Sequence, residues 1–406
     1  MTTMGLNNLF CYFLFSQFIF LLIFFYETPV ISSAIPVGEA VWLHAIGLFW
    51  AVLGYFTVRF AAPVQEEKRS DEPWWHFTTA FFVWSYVFVI AGTIVSVLQV
   101  TLFVPLAEHM AQLFSGDFEA GIRDAFLLPS DEGGLPGIIK MFASSPLSIY
   151  LMSLGLLNFL KLEEADQCRL KILSRIALVG VLIKILFSLE HKNIMAVLLA
   201  NMFLLLRKRD VRNVRYWILI ALGLLLADYL FIKRLEDFGI LDFTLVYLKM
   251  GLVNFQLLID SISEYTYGFS TILAPLQFIF KFFNLSSPEF EYNFEWVWNP
   301  AQYFSSYAFL DFGYLYFVLF YLTGIILFVI DFKALKQKNV NSAAIYFGVL
   351  FGVVSLLFVP IIRALDFWFT LLLPLFLTNL MKGRVPIATE QQYPFRRRLA
   401  ERPDVF

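Results

Sequence analysis

Apolar residues in this chain fall into long unbroken runs, with polar residues gathered between them. Six runs, Leu9–Phe25, Val41–Val58, Phe77–Val100, Tyr216–Ile232, Tyr307–Ile330 and Ala343–Ile362, are each long enough for a membrane-crossing helix. Such a helix needs about 20 apolar residues, with about 17 as the lower limit. Pro146–Leu160 and Leu365–Leu380 fall slightly short and are expected to extend by a turn. Leu173–Leu189 and Ile194–Leu206 are the weakest pair: Lys184 interrupts the first, and the second makes only about 20 Å of helix against a core of about 30 Å. The pattern predicts ten spans in a single transmembrane domain, residues 1–406, and hence an all-α, polytopic integral membrane protein.

Composition agrees. The chain is 59% hydrophobic and 15% charged, with 48 Phe, whereas a soluble chain is about a quarter charged. The net charge of −2 decides little; the sidedness of Lys and Arg sets orientation. If the termini share a side with Arg59–His76, Lys161–Arg175, Arg207–Arg215 and Asp331–Val340, that side holds 21 of the 30 Lys and Arg, and the other holds eight. Both termini are therefore predicted to be cytoplasmic, with a basic tail at 382–406 that meets anionic lipid. Cys11 and Cys168 form no disulfide framework and no Cys/His zinc spacing. Leu9–Phe25 reads as an anchor, not a cleaved signal, because no basic region precedes it.

Two outward loops are large. Residues 101–145 carry Leu102, Phe103, Leu106, Met110, Leu113 and Phe114 at helical spacing, with Glu108, His109 and Gln112 opposite, the pattern of an interfacial amphipathic helix. Residues 233–303 hold two interrupted apolar pieces, Ile240–Ile259 and Thr271–Phe283, read as interfacial or re-entrant helices. Threading them through the bilayer would give twelve spans but would bury Lys249, Asn254 and Gln256 in hydrocarbon, where polar groups are costly. Tyr265 and Tyr267, in the turn between the pieces, could stack on sugar rings; the same loop could equally be a structural lid.

Candidate chemistry clusters at the outer face. The turn joining the weak spans is Glu190-His191-Lys192-Asn193. Counted from Arg175 and Arg207, it lies below the outer surface, so it either faces a watery cavity or neutralises itself, Glu190 pairing with Lys192 or Lys184. His44, Asp228, Asp311, Arg363 and Asp366 fall at similar depth, and Lys184 is expected to pair with Asp228. Arg123 and Arg234 in the two loops add guanidinium groups suited to a diphosphate. Walker A, GxGxxG, GxSxG and HExxH patterns are absent, and the first outer loop, Tyr26–Ala40, lacks the paired carboxylates of metal-dependent lipid-linked sugar transferases.

Asn299-Pro300-Ala301-Gln302-Tyr303-Phe304, then Tyr307 and Asp311-Phe312-Gly313 entering a span, resembles a signature of the bacterial Wzy-type oligosaccharide repeat-unit (O-antigen) polymerases. The layout of spans, two arginine-bearing outer loops, a polar mid-chain turn and a basic tail is similar as well. The resemblance implies a GT-C-like glycosyltransferase at the periplasmic face of the bacterial inner membrane, joining undecaprenyl-diphosphate-linked repeat units without metal, cofactor or nucleotide sugar. On that reading His191 or Glu190 is the expected base, Lys192, Arg123, Arg234 and Arg363 are expected to stabilise the departing diphosphate, and Asp311, Tyr265 and Tyr267 are expected to bind substrate. Family members carry an Arg near a Gly in the mid-chain turn, where this chain has Glu190-His191-Lys192. Expected partners are the lipid-linked oligosaccharide, membrane lipid and a chain-length-regulating membrane protein, with no nucleic acid. A flippase of lipid-linked saccharides and an O-antigen-ligase-type transferase are the alternatives.

Overall fold

A computed structural model describes residues 8–23, 37–61, 74–102, 104–115, 137–188, 191–208, 223, 240–262, 265–268, 271, 304–356 and 364–384. Helices dominate. In chain order they are α1 (Leu9–Leu22), α2 (Gly38–Ala61), α3 (Thr79–Thr101), α4 (Leu106–Ser115), α5 (Gly137–Phe142), α6 (Ser145–Phe159), α7 (Glu164–Ser188) and α8 (His191–Lys208), followed by α9 (Ile240–Ser261), α10 (Phe304–Phe312), α11 (Phe317–Asp331), α12 (Val340–Ser355) and α13 (Leu365–Thr378). A two-stranded antiparallel ribbon joins β1 (Trp74–Phe77) to β2 (Met381–Arg384).

The predicted spans fall on helices, except Tyr216–Ile232, of which only Gly223 is described; Thr271–Phe283 beyond Thr271 lies outside the described residues. Among the described residues, four stretches are long and apolar enough to cross a membrane: Gly38–Ala61, Thr79–Thr101, Ile139–Phe159 and Phe304–Lys336. Leu9–Ile19, Val340–Ser355 and Leu365–Thr378 are shorter apolar helices. Their outer faces are as greasy as their inner ones. Phe15, Trp42, Phe49, Phe60, Ile90, Val179, Ile326 and Leu372 are all exposed, an apolar surface far larger than a water-soluble monomer presents.

The weak pair is longer than its apolar runs. α7 has 25 residues and α8 has 18, about 37 and 27 Å of helix. Helix length follows the backbone hydrogen bonds, which continue through Glu164–Arg175 at one end and through Lys184 near the other, where the apolar run breaks off. α9 narrows the two readings given for it. Its residues 251–256 are buried on every side, which places this part inside protein and not flat on an interface. Its polar groups have partners: Gln256 accepts from the Ala40 backbone N–H at 3.0 Å and donates to Asp260 at 3.0 Å.

Small residues set the tightest contacts, as they do wherever membrane helices approach closely. A Cβ built on Gly54 would lie 2.1 Å from the Tyr321 carbonyl oxygen, and one on Gly324 would lie 2.0 Å from that of Ala51. α2 and α11 thus lock through reciprocal glycines. α6 is the central helix, with twelve of its fifteen residues buried, and it packs on α3, α7, α12 and α13. Asp331, at the end of α11, closes one end of the bundle: its carboxylate accepts from the Leu9 and Phe10 N–H groups that begin α1, and from the Tyr346 hydroxyl.

Candidate functional site

Two polar clusters hold the described site residues. The first forms where the N-terminal ends of α6, α8 and α13 approach one another. Lys192, in the first turn of α8, donates to Asp366, in the first turn of α13, at 2.6 Å. Their side chains are 40% and 27% exposed, so the pair is open to a competing ligand. Lys184, on the last turns of α7, is buried and donates to Ser144 Oγ at 3.3 Å, beside the start of α6. It also acts electrostatically on Asp366.

Helix N-termini carry partial positive charge. Two lysines and the first turns of α8 and α13 therefore stand near one carboxylate, and among the described residues of the cluster positive charge is in excess. The sequence permits this because Pro146 suits the first turn of α6, while Asp366 suits the first turn of α13. Ser148 Oγ donates to the Thr370 carbonyl at 3.1 Å and ties α6 to α13 beneath the cluster.

α4 closes over the C-terminal end of α7. His109 donates from Nε2 to the Leu186 carbonyl at 3.2 Å and stacks on Phe187 with ring centroids 4.9 Å apart. Its Nδ1 is buried and has no hydrogen-bond partner among the described residues. Burial holds this imidazole below its usual range, with the carbonyl contact opposing the effect more weakly. The predicted amphipathic helix is thus present, but its polar face is partly turned inward as a clasp on the hairpin.

The second cluster is built on α10. Asp311 is buried near the C-terminal end of that helix, an unfavourable place for an anion. A turn from residue 265 to 271 compensates. The Thr266 hydroxyl bonds one carboxylate oxygen, and the Thr271 hydroxyl bonds the other. The Thr271 N–H donates to the second oxygen at 2.7 Å. The Thr266 and Tyr267 N–H groups meet the Leu310 and Asp311 carbonyls at 3.0 Å each, which satisfies helix-end acceptors that would otherwise lack donors.

Gly313 makes that fit possible. Its φ is +55°, and a Cβ there would sit 2.5 Å from the Tyr265 ring. Tyr265 also meets Phe309 edge-on at 6.3 Å. Tyr267 adopts φ 49° and is exposed; a left-handed conformation costs a non-glycine residue about 1–2 kcal/mol.

The nine residues read as a site therefore divide. Asp311, Tyr265 and Tyr267 come together in the second cluster, where Asp311 and Tyr265 have packing roles and Tyr267 alone projects outward. Lys192 stands in the first cluster. His191 begins α8, immediately before Lys192, although its side chain lies outside the described residues, as do Glu190, Arg123, Arg234 and Arg363. Lys192 pairs with Asp366, a carboxylate outside the hairpin, and Glu190, the partner expected for a self-neutralised turn, lies outside the described residues. Lys184 reaches Ser144, and Asp228 lies outside the described residues. No known protein family, characterised protein or solved structure matches the chain.

Proposed function

We propose that the chain is a polymerase of undecaprenyl-diphosphate-linked oligosaccharide repeat units, acting at the outer face of the inner membrane. The observation that carries this reading is the Lys192–Asp366 pair, half open and supported by Lys184 and by the first turns of α8 and α13. A diphosphate presents the same kind of oxygen acceptors as Asp366 with more negative charge, so it can displace that carboxylate from Lys192.

In the reaction, an acceptor-sugar hydroxyl attacks the anomeric carbon of the donor glycan. The bond from that carbon to the diphosphate oxygen breaks, and undecaprenyl diphosphate leaves. His191, or Glu190 beside it, takes the hydroxyl proton, as a base poised near neutral pH does. Lys192 and Lys184 stabilise the charge that grows on the departing oxygen. Arg123, Arg234 and Arg363 contribute to capture of the diphosphate, and Tyr267 offers a face to the saccharide.

The test is glycan length measured beside membrane abundance. Lys192→Ala should lower turnover by about 10²-fold, the scale of a lost charge-stabilising donor, converting long chains to single repeats at unchanged abundance. Lys192→Arg should keep part of the activity. His191→Ala should also yield single repeats. Normal chain length in Lys192→Ala overturns the proposal. A null strain that exports no repeat unit at all would make the chain a flippase or a ligase.

A further inference from the structure

A second group of convergent side chains lies at the opposite end of α7, about 37 Å of helix from Lys192. His76, Glu163 and Asp166 direct one ligand atom each toward a common centre, and these atoms all lie within 4.8 Å of one another. His76 Nδ1 is 2.6 Å from Asp166 Oδ2 and 4.0 Å from Glu163 Oε2. We propose that these three residues form a site for a Zn2+-class divalent cation, one that fastens the β1–β2 ribbon to the start of α7.

Three features support a built site. The backbone fixes the ligands before any ion arrives. β1 pairs with β2, placing His76 opposite Lys382, and the Trp75 N–H donates to the Lys161 carbonyl at 3.2 Å. The Phe77 N–H donates to Asp166 Oδ2 at 3.1 Å. His76 and Glu163 are therefore delivered by adjacent segments already bonded together, and Asp166 is held by the strand that carries the histidine.

Access is the second feature. The side chains of His76 and Glu163 are 35% and 44% exposed, while that of Asp166 is only 2% exposed. An ion can enter from water and still rest against a buried carboxylate. The third feature is donor chemistry. One imidazole nitrogen with two carboxylates suits Zn2+, Co2+ or Ni2+, whereas Mg2+ and Ca2+ favour all-oxygen sets. Bonds of about 2.0–2.2 Å in a tetrahedron put donors about 3.4 Å apart. The Nδ1–Oδ2 gap must open slightly and the Glu163 carboxylate must swing inward, both within the reach of side-chain rotation. On binding, His76 gives up the Nδ1–H that meets Asp166, takes the tautomer protonated on Nε2, and turns the Nδ1 lone pair to the ion. Three protein ligands leave a fourth position for water, so the ion is exchangeable.

A plain His76–Asp166 hydrogen bond would not involve Glu163, and this separates the two readings. The protein should be purified in detergent without a polyhistidine tag, then titrated with Zn2+ by calorimetry and with Co2+ by visible absorption. The wild-type chain should take one equivalent, unaffected by millimolar Mg2+. His76→Ala should abolish the step, and Glu163→Gln should weaken it at least about tenfold while leaving the protein monodisperse. Zn2+ should raise the unfolding temperature of the wild type and not that of His76→Ala. Absence of a saturable step, equal binding by Glu163→Gln, or competition by Mg2+ would each overturn the site. None of these measurements depends on glycan synthesis.

Discussion

Asp311 and Asp366 sit near helix ends in the same chain, yet their surroundings differ in kind. Asp311 lies at the wrong end of its helix for an anion and is buried. A turn supplies it with two hydroxyls and an amide N–H, all from residues 266 and 271. Asp366 lies at the favourable end of its helix, partly open, against the flexible amine of Lys192. The first arrangement fixes a backbone shape and leaves a ligand no easy entry. The second is a loose pair in which either partner can be exchanged. Charge near a helix end is thus a poor guide to function by itself; the mobility and exposure of the partner distinguish a clasp from a binding group.

Breaking the clasp should have the largest effect on stability. Asp311→Ala removes the acceptor shared by two buried hydroxyls and an N–H, and a buried group left unpaired costs about 1–3 kcal/mol; the Thr266 hydroxyl retains the Leu310 carbonyl at 3.5 Å. A total of about 3–5 kcal/mol is expected, read as a large fall in the thermal unfolding midpoint in detergent or as loss of inserted protein. Asp366→Asn should act on stability far less, by under about 1 kcal/mol, because part-exposed ion pairs contribute little. It removes one anionic partner from Lys192, so affinity for inorganic diphosphate should rise while the unfolding midpoint barely moves. Equal destabilisation by the two substitutions would erase the distinction between clasp and binding group.

The smallest effect is a pH dependence at the hairpin tip. The docked form of His109 holds its imidazole below the usual range, so the undocked form takes up a proton more readily. Docking is fully present above the ordinary imidazole value of about 6.5 and weakens as pH falls through it. Corrected for the intrinsic pH dependence of exchange, the protection of backbone amides in Leu106–Ser115 should fall between pH 7.5 and 5.5, and His109→Leu should remove that fall.

Most of the helical plan was legible because unbroken apolar runs have few other uses. Its failures have physical causes. Lys249, Asn254 and Gln256 lowered the apparent suitability of α9 for a buried place, but protein partners such as Ala40 and Asp260 satisfy Gln256. Hydropathy cannot anticipate such partners. The lysine cluster was half visible: Lys192 was marked by the polar turn, whereas its partner lies 174 residues away and had many rivals at the same depth. Asp311-Phe312-Gly313 was read for chemistry, and the structure gives it the φ and the donors of a turn. His76 and Asp166, 90 residues apart, offered no spacing to recognise.

The reciprocal glycines of α2 and α11 bear on how the protein is made. Gly54 and Gly324 are about 270 residues apart, and neither helix reaches its closest neighbour until the other has been synthesised. At about 5–20 residues per second, α2 waits roughly 15–50 s in the bilayer with its small-residue groove facing lipid or an insertion factor. Assembly of this membrane domain is therefore gated by its C-terminal third, and truncation before Gly324 should leave an inserted but unsealed bundle for quality-control proteases to find.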